Sequence, residues 1–157
     1  MNKPINILDE DYLQWVSELC KRYRQSQVKA AVKVNTEMIK FYWSLGRDIV
    51  ALKAEARWGS KFLANLSRDL KEQNPKSTCF SPTDLLYMKN FFRLYKGYGE
   101  ITPQFGEQIK KDIFSTPWRH HKLLIDKFLN EPQKALFYVH QTVANGWSRS
   151  VLHNYKM

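Results

Sequence analysis

The chain has 157 residues and carries 25 Lys or Arg against 15 Asp or Glu, so its formal net charge at pH 7 is +10. Aromatic residues make up 14% of it and Gly and Pro number six each, which excludes a disordered tail and favours long helices over many hairpins. It has two cysteines, no recognisable signal peptide and no apolar run near the roughly 20 residues of a membrane span. We therefore expect a cytoplasmic protein with no membrane partner, whose positive charge either attracts a polyanion or only keeps the chain soluble.

The first predicted helical segment covers residues 9–55 of a single helical domain, 1–157, after a flexible leader over residues 1–8. Asp9 can cap its start. Apolar positions then recur with a helical period at Tyr12, Trp15, Val16, Leu19 and Tyr23, and again at Val28, Val32, Asn35, Ile39, Tyr42, Gly46 and Ile49. Because no Gly or Pro separates the two sets, one long helix and two helices joined near Ser26 both remain open.

Residues 59–97 are predicted to form a helix-turn-helix. A first helix follows Gly59 and Ser60 and stops at Asn74-Pro75. The second opens at Ser81, which can act as N-cap, with Pro82 at the first helical position and Asp84 where a capping-box acid belongs. Its predicted buried face holds Leu85, Met88, Phe92 and Tyr95, and its predicted solvent face holds Thr83, Tyr87, Asn90 and Arg93.

The rest of the chain also favours helices. Residues 98–116 fit either a wing-like loop or a short helix, and the pattern does not decide between them. Over residues 117–157 we expect C-terminal helices that open at Thr116-Pro117, at Asn130-Glu131-Pro132 and at Ser148. Strand signals are weak everywhere, so the predicted fold class is mainly α: a long N-terminal helix or helix pair packed on a helix-turn-helix, winged-helix-like bundle.

The candidate DNA-binding residues surround the predicted helix pair. Lys and Arg there neutralise phosphates and set the register, while Asn and Arg on the second helix suit the edges of adenine and guanine. The predicted set is Lys61, Arg68, Lys71, Lys76, Thr83, Tyr87, Lys89, Asn90, Arg93, Arg119 and His120. An ordinary solvated face is the competing interpretation for any one of these residues.

Catalytic and metal-binding patterns are weak. His120 and His121 are adjacent and point about 100° apart on a helix, so they cannot chelate one ion together. We expect His121 and His140 to be partly buried and hydrogen-bonded, and His120 to lie near a phosphate or solvent. Asp69-Leu70-Lys71 matches part of a metal-dependent nuclease site, with Asp48 upstream, but these acids fall on predicted helices rather than on strands. We therefore predict no catalytic residue, no metal and no cofactor.

Five ordered blocks resemble the N-terminal domain of YhcG-type PD-(D/E)xK nucleases. They are Tyr42-Trp43-Ser44-Leu45-Gly46-Arg47-Asp48-Ile49-Val50, Trp58-Gly59-Ser60-Lys61 through Leu66-Ser67-Arg68-Asp69-Leu70, Phe80-Ser81 with Leu85, Met88, Phe91 and Tyr95, Trp118-Arg119-His120, and Phe137-Tyr138 with Gly146-Trp147-Ser148. Together they span roughly Val28 to Leu152. The chain differs in having Arg119 where the family has a small polar residue, and Asp84-Leu85 where it has Asn-Leu.

The resemblance implies a bacterial, winged-helix-type module that binds double-stranded DNA on behalf of a restriction-endonuclease-like nuclease domain. That nuclease domain is not in this chain, so a fragment of a larger nuclease and a stand-alone relative that works with a nuclease subunit both remain open. The alternative is a protein–protein interaction or oligomerisation domain of a DNA-defence or restriction system. In that case the Val28–Val50 seam would pair with a second copy, giving a homodimer.

Overall fold

A computed structural model describes residues 9–30, 36–97 and 103–155 of the chain. Those residues form nine α-helices and contain no strand, which confirms the predicted mainly α fold. The helices are α1 (Glu10–Ala30), α2 (Thr36–Ala51), α3 (Ala54–Trp58), α4 (Phe62–Gln73), α5 (Pro82–Tyr95), α6 (Pro103–Phe114), α7 (Trp118–Phe128), α8 (Pro132–Asn145) and α9 (Arg149–Asn154). The predicted leader, residues 1–8, lies outside the described residues.

The N-terminal part is a helix pair rather than one long helix. Trp15, near the start of α1, donates a hydrogen bond of 2.9 Å to Asp48, near the end of α2. Farther along α1, the ring of Tyr23 lies 5.8 Å from that of Phe41 in α2. The two helices therefore run antiparallel, and α1 continues to Ala30, so the predicted joint near Ser26 is wrong. Val32 and Asn35 lie outside the described residues.

A third helix, α3, completes the segment predicted over residues 9–55. The chain turns between α2 and α3 at Lys53, which adopts a left-handed conformation (φ 49°). The amide N–H groups of Ala56 and Arg57 then donate to the Lys53 carbonyl, which starts the new helix. No Gly or Pro marks this break, so the residue types around it did not predict it.

Helices α2 and α5 form the centre of the bundle. Ile39, Tyr42, Leu45 and Ile49 of α2 are buried. Gly46 lies where the two backbones approach closely, because a Cβ atom added there would be 2.0 Å from the carbonyl oxygen of Met88. The α2 part of the Val28–Val50 seam is thus interior, and Val28 belongs to α1. This α2 part of the seam is not a surface that a second copy can reach.

Helix α5 begins as predicted, but its buried face includes Phe91 and Leu94 in place of Phe92. The Ser81 hydroxyl accepts a hydrogen bond of 3.0 Å from the Asp84 amide and donates one of 2.8 Å to the Asp84 carboxylate. Phe91, rather than the predicted Phe92, is fully buried. The reason is the position of α7, since the Phe91 ring lies 4.6 Å from that of His121 and 5.3 Å from that of Trp118.

The C-terminal helices confirm most of the predicted boundaries. Gly146 ends α8 in a left-handed conformation (φ 62°), and the Ser148 hydroxyl accepts from the Val151 amide at the start of α9. Thr116, by contrast, does not cap α7. Its hydroxyl donates 2.8 Å to the carbonyl of Asp112, and Pro117 occupies the cap position instead.

The segment that the sequence left open is helical where it is described. Residues 103–114 form α6, so a wing-like loop is wrong for that stretch. Residues 98–102, where the rest of the predicted wing falls, lie outside the described part. None of the helices described here combines the length and the apolar character that a membrane crossing requires.

Candidate nucleic-acid interface

The predicted helix pair consists of α4 and α5. Residues 74–81 connect these helices, a longer link than the turn of about 3–4 residues in a DNA-binding helix-turn-helix. Helix α5 also packs against α2, α4 and α7 together, which leaves only a narrow strip of it facing solvent. A recognition helix needs a broad exposed face to enter a groove, and α5 has less of one than the sequence predicted.

Two of the predicted α5 contacts already bind acidic side chains of the protein. Lys89 donates a hydrogen bond of 2.6 Å to Glu55, and its side chain is 18% exposed. The Tyr87 hydroxyl donates to the Asp126 carboxylate at 2.8 Å, and this bond raises the pKa of Tyr87. Thr83 and Arg93 are exposed and Asn90 is half-buried. Of the predicted α5 contacts, these three residues remain candidates for binding the edge of a base.

The predicted cations of α4 and of the link to α5 are all at the surface. Lys61, Lys71 and Lys76 are exposed and form no ion pair with another residue in the described ranges. Arg68 is exposed but pairs with Asp69 at 3.1 Å and with Asn65 at 3.3 Å. The three lysines remain candidates for phosphate contacts.

The predicted position of His120, near a phosphate or solvent, is wrong. Arg119 beside it is exposed. His120 is 6% exposed, and its Nε2 donates to the Trp147 carbonyl at 2.8 Å, so it fastens α7 to the start of α9. His121 is fully buried, and its Nε2 donates to the Ile113 carbonyl at 2.8 Å. Burial lowers the pKa of His121 to about 4. His140 is hydrogen-bonded as expected, with 3.0 Å between its Nδ1 and the Asp112 carboxylate, but its side chain is 60% exposed rather than partly buried.

The two acids considered for a nuclease site instead hold the helices together. Asp69 accepts a hydrogen bond of 2.6 Å from the hydroxyl of Tyr12, and Asp48 accepts from Trp15 and pairs with Arg22. Both contacts fix α1 against the rest of the bundle. Among the described residues no group of three or more His, Cys, Asp or Glu side chains is placed to hold a metal ion.

A basic groove lies between α2, the end of α5 and α6; we call it the α2–α6 groove. It consists of two adjoining cavities of about 530 and 560 Å³ that share Lys40, Lys110 and Phe114. Five exposed cations line it: Lys40, Arg47, Lys96, Lys110 and Lys111. Glu107 is the one acidic residue lining it within the described ranges. The groove is thus strongly positive.

Aromatic side chains form part of the groove wall. Trp43, Phe92 and Phe114 are half-buried, and the ring of Trp43 lies 5.0 Å from that of Phe92 and 6.0 Å from that of Phe114. Phe92, which the sequence placed in the core, belongs here. Combining cations with partly exposed rings is typical of surfaces that bind nucleic-acid strands.

The sequence analysis missed this groove because its walls are far apart in the chain. Lys40, Trp43 and Arg47 recur at i, i+3 and i+7, so the sequence does indicate that they share one face of α2. The opposite wall is α6, which lies within residues 98–116, where the sequence pattern fits a loop and a helix equally. Only the packing of α6 on α2 brings Lys110 and Lys111 opposite Lys40.

A family model, the DUF1016 N-terminal domain, matches residues 18–156, which is nearly the whole chain. The chain belongs to the DUF1016 N-terminal domain family. This agrees with the resemblance to the N-terminal domain of YhcG-type nucleases. No curated protein and no solved structure matches the chain.

In this DUF1016 N-terminal domain the motif residues mainly hold the fold. Gly46 lets α2 approach α5, and Ser81 caps α5. The Trp118-Arg119-His120 block is tied to the Gly146-Trp147-Ser148 block by the bond from His120 to the Trp147 carbonyl. Most residues of the motifs that identify the family therefore lie outside the α2–α6 groove, and the exceptions are Trp43, Ser44, Arg47 and Tyr95.

Proposed function

We propose that this DUF1016 N-terminal domain is a DNA-binding module without catalysis of its own, which brings an associated nuclease domain or subunit to DNA. The observation that carries the proposal is the α2–α6 groove, where five cations and one acid line a concave surface. When closely spaced cations of a protein neutralise DNA phosphates, the counterions condensed on the DNA are released. This release supplies most of the affinity for a DNA backbone.

The groove supports the proposal better than α5 does. Its cations form no ion pair with another described residue, whereas Lys89 and Tyr87 of α5 are bound to Glu55 and Asp126. A cation without an internal partner loses no salt bridge when it binds a phosphate. The exposed Lys61, Lys71 and Lys76 belong to α4 and the link after it, and they provide a second, separate set of cations.

Two charge-matched variants test the proposal. The first, K40Q/R47Q/K110Q, removes three groove cations, and the second, K61Q/K71Q/K76Q, removes three outside the groove. Each lowers the net charge from +10 to 10 − 3 = +7. All six side chains are exposed, so both variants should melt like the parent by circular dichroism.

Binding is measured by fluorescence anisotropy with a labelled forked DNA, which offers duplex and single strands in one probe. Between about 50 and 200 mM salt, the parent should bind with a steep negative slope of log affinity against log salt, and K40Q/R47Q/K110Q should reduce that slope by about two to three units. K61Q/K71Q/K76Q should change it less. An affinity that does not depend on salt, or no binding of the fork at all, would refute DNA binding, and a larger effect of the second variant would refute the groove as its site.

A second candidate function is oligomerisation, which is favoured by an apolar surface on α8 and α9. Phe137, Val151 and Tyr155 are 50%, 47% and 48% exposed, and apolar side chains exposed together mark interaction surfaces. This replaces the Val28–Val50 seam, whose α2 part is interior. Light scattering tests it: a parent dimer that Phe137→Ser converts to a monomer supports self-association, and a monomeric parent at all concentrations contradicts it.

A further inference from the structure

We infer that the α2–α6 groove binds an unpaired nucleic-acid strand, with bases against its aromatic wall and phosphates against its cations. This rests on the proposed function and deepens it, because it states which form of nucleic acid the groove accepts. Three observations support it: the partial exposure of the rings, the concave shape, and the placement of the cations on both sides.

The aromatic side chains of the groove are placed to meet bases. Trp43, Phe92 and Phe114 are half-buried, unlike Phe91 beside them, which is fully buried. Their rings contact one another around Trp43 at centroid distances of 5.0 and 6.0 Å, so they form one continuous apolar surface. Every base has a flat π face that stacks on such a surface whatever its sequence.

The shape of the groove distinguishes strands from duplexes. A duplex encloses its bases and presents phosphates on a convex surface, so it reaches only the rim of a concave site. The two adjoining cavities, of about 530 and 560 Å³, fall within the range that encloses small ligands, which suits bases that are not paired. The aromatic wall can therefore contribute to the binding of a single strand but not to that of an intact duplex.

The cations come from both of the helices that border the groove. Lys40 and Arg47 come from α2, and Lys110 and Lys111 come from α6. Lys96, just after α5, adds a charge to the cavity of about 530 Å³, which Phe92 and Tyr95 also line. A strand that follows the groove thus keeps its phosphates near cations while its bases face the rings, the arrangement used by proteins that hold single strands.

The test compares four labelled probes with the full chain: an oligothymidylate and an oligouridylate of about 16 nucleotides, a duplex of the same length, and the forked DNA. We expect one or both single strands to bind at least about tenfold more tightly than the duplex. Whichever of the two binds more tightly identifies the preferred kind of strand, DNA or RNA. Tighter binding of either single strand than of the duplex supports the inference.

Variants of the wall separate stacking from charge. Phe114→Leu and Phe92→Leu keep apolar volume but remove a stacking ring, so each should weaken single-strand binding about fivefold or more and leave duplex binding unchanged. Leu13→Ala removes an apolar side chain that is 46% exposed on α1, outside the groove, and serves as the control, with no expected effect. Melting curves show which of the variants fold, and one folded groove variant is enough for the test.

Equal or tighter binding of the duplex, or Leu variants that bind single strands as well as the parent does, would overturn the inference. If the fork still binds in that case, DNA binding stands and only the strand preference fails. If none of the four probes binds, the proposed function fails as well.

Discussion

Replacing Gly46 by alanine measures how closely α2 and α5 approach each other. The added Cβ would lie 2.0 Å from the carbonyl oxygen of Met88 and 2.7 Å from its carbonyl carbon. Ordinary contacts of a Cβ begin at 3.4 Å, so the two helices must separate by up to 3.4 − 2.0 = 1.4 Å. The atoms it meets belong to the backbone in the middle of α5, and no side-chain rotation can remove the overlap.

The magnitude follows from two opposing effects. Alanine favours a helix interior over glycine by about 1 kcal/mol. Overpacking a close contact costs typically about 1–3 kcal/mol, and more where neither backbone can move freely. Separating α2 from α5 also loosens the contacts of Ile49, Leu85 and Met88, which are all buried. We expect the free energy of unfolding to fall by about 2 kcal/mol or more, and the midpoint of thermal unfolding by about 4–8 °C.

Urea denaturation followed by circular dichroism gives the free energy directly, and Gly97→Ala is the matched control. A Cβ at Gly97 meets nothing within 4 Å, so this second Gly-to-Ala change should alter stability by about 0.5 kcal/mol or less. If Gly46→Ala were as stable as Gly97→Ala, the close crossing of α2 and α5 would be refuted, and with it the position of α2 that shapes the groove.

Two further predictions concern capping and protonation. Ser81→Ala removes the hydrogen bond from the Asp84 amide and should lower the free energy of unfolding by about 1 kcal/mol. Ser81→Thr keeps the hydroxyl and should lose less. Equal losses of the two variants in urea denaturation would contradict the cap. The pKa of His121 is about 4 in the folded protein and 6.5 in the unfolded one. Between pH 4 and pH 6.5 the unfolded state therefore binds a proton that the folded state does not. Stability should therefore fall by roughly 1.4 kcal/mol for each pH unit that is lowered from 6.5 towards 4, and this slope should be shallower in His121→Gln.

Local signals predicted the ends of several helices and most of the core. Ser81, Gly146 and Ser148 act on backbone groups within a few residues of themselves, so their caps could be inferred from short stretches of sequence. The same holds for the buried face of α1, because a periodic apolar face is a property of one helix. The break at Lys53 was missed because its left-handed backbone has no sequence signal.

Predictions about the surface were less successful, because exposure depends on which helices lie opposite. His120 looked like a phosphate ligand but donates to the Trp147 carbonyl, and Lys89 of the predicted recognition helix binds Glu55. Both partners are distant in sequence, and nothing near His120 or Lys89 indicates them. A surface cation that already pairs with an acid must give up that pair before it binds a ligand, which costs about 0–1 kcal/mol.

The amino-acid sequence by itself determined the mainly α fold, several of the helix caps, the family and an excess of cations. Only the tertiary structure decided where those cations collect, because Lys40 and Arg47 meet Lys110 and Lys111 through the packing of α6 on α2. The physical reason is the range of the interactions. Helix formation and capping act over about one turn, whereas a groove exists only where two helices far apart in the chain are brought side by side.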